Sequence, residues 1–141
     1  MTRTVRLDDL LGPTEPFASF HDAALSVLHI DYEARSLVAE FELCVGDPDA
    51  ADRTARERSR RGRLRLSGLI LWAVEPPDLT GPPAVRRPWL TSDGPLDEAP
   101  TDAGKGLAGA LASDIYCWYL YFSDLNAFAY CAAQDAQFEW L

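Results

Sequence analysis

The sequence predicts a mostly β protein, a single antiparallel-sheet domain built as a sandwich or a curved sheet with little helix; an α+β arrangement also fits. Three observations carry this. The chain has 141 residues, 48% of them hydrophobic, enough apolar material for one core and too little for two. Residues 36 to 45 place Leu37, Ala39, Phe41, Leu43 and Val45 at every second position, the period of a strand with one buried face. The last third carries an aromatic run, a short polar turn and a small-residue run returning from it, the pattern of a β-hairpin.

Taken in order, Val5 to Leu11 suits one or two helical turns, closed by Gly12-Pro13. Phe17 and Phe20 are candidate core anchors. Ala24 to Tyr32 fits a strand, with His21 and Asp22 in a turn before it and His29 half-buried within it. Glu33-Ala34-Arg35 is a short turn. Ser36 to Val45 is the clearest strand: Leu37, Ala39, Phe41, Leu43 and Val45 form the buried face, with Val38, Glu40, Glu42 and Cys44 opposite.

Residues 46 to 62 are dense in charge and lack apolar periodicity, so they read as a mobile, arginine-rich loop. Arg63 to Glu75 resumes a strand. Leu64, Leu66, Ile70, Trp72 and Val74 would share a face, with Gly68 a bulge or close-packing point. Arg63 and Arg65 could then reach Glu40 and Glu42 on the neighbouring strand.

Residues 76 to 114 read as an irregular Pro/Gly-rich connection. Seven prolines fall between Pro76 and Pro100; Trp89 and Leu90 are expected to tuck inward. Gly104 to Ala112 allows a weak helix at most, because internal glycines disfavour one.

Ile115 to Phe122 is a strand, Ser123 to Asn126 a turn in which Asn126 tolerates a left-handed backbone, and Ala127 to Ala133 the return. Pairing Phe122 with Ala127 sets Leu120 against Ala129, Trp118 against Cys131 and Tyr116 against Ala133. Each large side chain meets a small one, which fills a core layer densely. On the other face Tyr121 meets Phe128 and Tyr119 meets Tyr130.

The formal net charge is −9, which disfavours free nucleic acid as a partner and suits a basic protein. Three cysteines, Cys44, Cys117 and Cys131, give an odd count without CxxC spacing; free thiols in a reducing compartment are expected, with neither a disulfide nor a zinc site. No segment has the length and apolarity of a signal or a membrane span, so the expectation is a cytoplasmic protein that binds no membrane.

The chemistry of the side chains points to binding rather than catalysis. There are two histidines, and HExxH, G-x-S-x-G and Walker-type spacings are absent, so no catalytic residue, metal or cofactor is assigned. Phe20-His21-Asp22 is read as a structural motif, with the Asp22 carboxylate holding local backbone N–H groups or His21. Tyr119, Tyr121, Phe128 and Tyr130 are a candidate binding surface, or else the covered second face of the sheet. Seven of the thirteen basic residues fall between Arg53 and Arg65. Within the loop, Arg53, Arg56, Arg58, Arg60 and Arg61 could dock an anionic partner; otherwise they are a solvated spacer.

The stretch EPFASFHDAALSVLHIDYEARSLVAEFEL, with Phe20-His21-Asp22-Ala23 leading into a hairpin, resembles the amino-terminal part of small bacterial immunity proteins of polymorphic toxin systems and of related uncharacterised families. RLRLSGLILWAVEPP resembles their third strand. The resemblance spans about residues 15 to 77 and implies a protein that neutralises a toxin by binding it, without catalysis. A β-fold module that binds a small apolar ligand or self-associates is the alternative.

Overall fold

The computed structural model describes residues 5–78, 87–112 and 114–141. Six antiparallel strands close into a barrel: β1 (Ser19–Asp31), β2 (Ser36–Cys44), β3 (Ser59–Val74), β4 (Trp89–Pro95), β5 (Tyr116–Phe122) and β6 (Ala127–Trp140). Their order around the barrel is β1-β2-β3-β6-β5-β4. Two short helices accompany them, α1 (Arg53–Arg56) and α2 (Asp102–Ala110). The antiparallel, mostly β expectation is met, as a closed barrel rather than a sandwich.

The barrel is filled by side chains. Trp118, Phe20, Phe41, Leu37, Leu43 and Leu66 are its largest fully buried residues of the sheet. The β2 alternation holds, with Leu37, Ala39, Phe41, Leu43 and Val45 all buried. The β5–β6 register is the expected one at every pair, from Phe122↔Ala127 through Leu120↔Ala129 and Trp118↔Cys131 to Tyr116↔Ala133. Asn126 takes the left-handed backbone, φ 45°. One end of the core is aromatic: the Phe20 ring meets Phe41 at 5.3 Å and Phe138 at 5.7 Å, both edge to face.

The amino terminus is stitched onto the barrel. A 3-10 turn, Leu7–Leu10, buries Leu7 and leads to the buried Leu11. The Trp118 indole donates to the Val5 carbonyl at 2.6 Å. Phe20 is a core anchor, but Phe17 is 51% exposed.

Two bulges correct the expected faces. At Gly68, φ is 59° and the β3–β6 register shifts between Leu69 and Leu71. The inward run therefore passes from Leu64 and Leu66 to Leu69, and Ile70 is exposed; beyond the shift Trp72 and Val74 again pair with the core residues Cys131 and Ala129, Trp72 packing against the core while Val74, at the strand end, is exposed. In β1 the register shifts between Leu25 and Val27, which turns His29 out to solvent; its expected half-burial is not found.

Two stretches expected to be irregular carry regular elements, residues 79–86 and 113 lying outside the described ones. Residues 46 to 62 contain α1 and the first four residues of β3, so Arg60 and Arg61 are strand residues. Residues 76 to 114 contain β4 and α2. In β4, Leu90 is buried but Trp89 is half-exposed. In α2, Thr101 caps the first turn by accepting from the Gly104 N–H. Gly104 lets the helix approach the barrel: a Cβ there would lie 2.5 Å from the Ala99 Cβ and 3.0 Å from the Tyr130 ring. Packing thus outweighs the helix-weakening effect of glycine.

Candidate functional site

The outer face of the β5–β6 hairpin gathers three of the four aromatic residues singled out in the sequence. Directly paired residues share a face of the sheet, so Tyr119 and Tyr121 stand out from the barrel with Phe128. Ring centroids are 4.7 Å apart for Tyr121 and Phe128 and 6.2 Å for Tyr119 and Phe128. All three are half-buried. Tyr119 leans over Gly94 of β4, where a Cβ would come within 2.9 Å of the ring. The Tyr121 hydroxyl donates to Asn126 Oδ1 at 2.6 Å, and Asn126 Nδ2 reaches Asp78 Oδ2 at 3.4 Å. The cluster therefore has an apolar centre and a polar, acidic rim.

Tyr130 does not belong to that surface. It is buried beneath α2, with its hydroxyl 2.6 Å from Thr101 Oγ1 and bonded to the Glu75 carboxylate. Burial, together with the Glu75 hydrogen bond, raises the phenol's pKa. The two readings of the aromatic set thus divide: Tyr130 is covered and anchors a helix, while the other three face outward.

The arginines are engaged within the molecule. Arg58 grips the buried carboxylate of Glu15 through both terminal nitrogens, at 3.3 and 2.7 Å, and Arg60 adds a third contact at 3.0 Å. These partners, Arg58 first, hold the Glu15 carboxyl below its usual range. Arg60 also lies 5.4 Å over the Trp140 ring, a cation–π contact. Arg53 pairs with Glu57 at 3.0 Å, and Arg56 donates to the Ala50 carbonyl. Arg61 sits opposite Glu42 in the ladder. Further along β3, Arg63 bridges Glu40 and Glu139, and Arg65 also pairs with Glu139. The expected Arg63–Glu40 contact is present. Glu42 instead takes Ser59 and Arg87. The set of Arg53, Arg56, Arg58, Arg60 and Arg61 is therefore not one free loop; Glu15, 43 residues from Arg58, was the partner that sequence reasoning missed.

The Phe20-His21-Asp22 motif lies inside β1, where the strand passes from pairing with β2 to pairing with β4, and not in a turn before it. Phe20 faces the core. Asp22 has φ 65°, a conformation Asp adopts more readily than most residues. Its carboxylate accepts from the Trp89 indole at 3.1 Å and stands 3.5 Å from His21 Nε2. The backbone of the motif is held by Asp8, which accepts from the Phe20 N–H at 2.8 Å and the Ser19 hydroxyl at 3.0 Å. His21 Nδ1 is 2.6 Å from the Thr91 carbonyl oxygen. Next to this corner is Asp93, which no sequence signal marked. It pairs with Leu120, an inward position. Burial first, then the neighbouring Asp8, pushes its carboxyl up to about 6.

Cys44, Cys117 and Cys131 are free thiols. Among the described residues no group of His, Cys, Asp or Glu is arranged to hold a metal ion, and no helix is long and apolar enough to cross a membrane.

No protein-family model matches the chain, and no curated protein matches it. Among solved structures, the crystal structure of an uncharacterized protein from Neisseria gonorrhoeae is similar over 88% of this chain and 96% of that one, at 13% identity and a TM-score of 0.41.

Proposed function

We propose that the chain is a non-enzymatic binding protein of the immunity type, which docks a basic protein toxin through the outer face of the β5–β6 hairpin and acts in the cytoplasm. The observation that carries this reading is the Tyr119–Tyr121–Phe128 cluster with its acidic rim at Asp78. Aromatic anchors ringed by polar groups are the usual energetic centre of a protein interface. The charge distribution supports it. Arg53, Arg58, Arg60, Arg63, Arg65 and Arg87 pair with only five glutamates, so the excess of negative charge resides on other carboxylates, free to steer a basic partner. Three free thiols suit a reducing compartment.

The test is calorimetric titration of the protein with a basic toxin domain, sought among the products of neighbouring genes. Tyr121→Ala and Phe128→Ala should each weaken binding by about tenfold or more while leaving the circular dichroism spectrum intact, and affinity should fall as salt is raised. Unchanged affinity in both variants would remove this face as the docking site.

A second reading, self-association or capture of a small apolar ligand, rests on Leu28 and Val74. They pair with the core residues Ala39 and Ala129, yet are 39% and 49% exposed. Light scattering, with binding of an apolar dye to wild type and Val74→Ser, separates it from the first.

A further inference from the structure

We propose, resting on the self-association reading, that two copies of the chain join through the free edge of β3. Their Trp72–Val74 segments pair antiparallel about a twofold axis at Ala73 and continue one sheet into the other.

The free edge follows from the ladder. The Glu75 N–H donates to the Phe128 carbonyl, in register with Val74↔Ala129 and Ala73↔Tyr130. Hydrogen-bonded and non-hydrogen-bonded pairs alternate in an antiparallel ladder. Ala73 and Glu75 therefore turn their backbone groups to β6, and Trp72 and Val74 turn theirs the other way. On that other side the β2 ladder runs to Ser36↔Ser67. Arg35 adds the next contacts, accepting from the Leu69 N–H and donating from Nε to the Leu69 carbonyl. Beyond Leu69 no strand among the described residues pairs along this edge. Lysine, proline and inward-pointing charge are common means of keeping such an edge unpaired. Ile70-Leu71-Trp72-Ala73-Val74 has none of them.

A second copy fits because the edge is complementary to itself. With the axis at Ala73, Trp72 of each copy stands opposite Val74 of the other, and each such pair exchanges both N–H···O bonds. Directly opposed residues share a face of the sheet. The Val74 side chain, 49% exposed although it pairs with the core residue Ala129, is thus covered by the half-buried Trp72 of the other copy. An aromatic against a β-branched side chain is a favourable cross-strand pair. On the opposite face the exposed Ala73 side chains meet at the axis, so only two methyl groups have to fit there. Asp78 continues the β6 register, its N–H donating to the Leu125 carbonyl. At each end the exposed Asp78 of one copy therefore comes into line with the exposed Arg35 of the other, and the charges are opposite.

Sedimentation equilibrium over a range of concentrations measures the dimer. The Val74 N–H faces the edge, so Val74→Pro removes an edge donor and leaves the β6 ladder intact. Val74→Lys instead places a charge on the edge, and it carries the test if the proline variant does not fold. Each should weaken the dimer about tenfold or more with an unchanged circular dichroism spectrum. In a Cys44→Ser background, Ala73→Cys should form an intermolecular disulfide on oxidation. A non-hydrogen-bonded pair sets its Cα atoms about 4.5 Å apart, within disulfide reach. A wild type that stays monomeric at every concentration would overturn self-association itself, and the β3 pairing with it. A dimer unweakened by Val74→Lys, or one whose Ala73→Cys copies do not cross-link, would overturn the β3 edge and leave self-association standing.

Discussion

Gly104 of α2 sits against the ring of Tyr130 with no space for a side chain between them. This contact converts a weak helix into a fixed part of the barrel wall, because it lets Thr101 cap the helix and hydrogen-bond the Tyr130 hydroxyl at once. The three glycines of α2 should consequently respond in opposite ways. Gly104→Ala should destabilise by about 1–3 kcal/mol through overpacking, despite the better helix propensity of alanine. Gly106→Ala and Gly109→Ala, with nothing within 4 Å of the added atom, should each stabilise by about 0.5–1 kcal/mol. Urea denaturation of the three variants reads the difference.

The arginine-rich segment should be indispensable to folding. A deletion from Asp49 to Arg60 removes both cations that hold Glu15, along with α1 and the start of β3. The expected outcome is loss of the cooperative thermal transition; a deletion variant that melts like the wild type would show these contacts to be incidental.

Acid should act through the same carboxylates. Glu15, held down by Arg58 and Arg60, Glu42, held down by Arg87 and Ser59, and Glu139, held down by Arg65 and Arg63, all have lowered folded-state values. Each contributes stability present above the ordinary carboxylate range and lost as the pH falls through its lowered value. Tm should fall below about pH 4.5, less steeply in Glu15→Gln and from a lower starting Tm. The profile is measured by calorimetry in low salt.

The three thiols should differ in reactivity. Cys44 is exposed, Cys117 intermediate and Cys131 buried, with burial raising the last two. A thiol reagent at neutral pH should label Cys44 first, Cys117 slowly and Cys131 only on unfolding, because the thiolate is the nucleophile. Mass spectrometry of labelled peptides gives the order.

How far the fold could be read depended on the range of the interactions that make each element. The β5–β6 hairpin was legible to the residue, since its large and small partners lie across one short turn. The β2 alternation was legible for the same local reason. Gly68 reads as a bulge or a close-packing point, but a period carried straight through it misses the step that brings Leu69 inward and leaves Ile70 exposed. β4 was hidden because it lies among prolines and takes its hydrogen bonds from strands far away in sequence. The partners of Arg58 and Asp93 were invisible in the same way. Glu15 and Asp8 sit in an amino-terminal arm whose position is set by tertiary packing. Of the candidate site, the aromatic residues were legible, but the helix that removes Tyr130 from the surface was not.

The strand order has a kinetic consequence. β1-β2-β3 and β4-β5-β6 are two three-stranded meanders, each able to zip outward from its own turns before meeting the other. The β3–β6 ladder is long, from Gly62↔Trp140 to Val74↔Ala129, and joins the halves firmly, whereas β1–β4 is brief. Closure is thus expected to be the last event of folding and the first of unfolding. A molecule caught with that gap ajar offers unpaired backbone on both lips, and at high concentration the lip of one copy can complete the circle of another. The weakest ladder in the molecule is in this way also its natural place for strand exchange between copies.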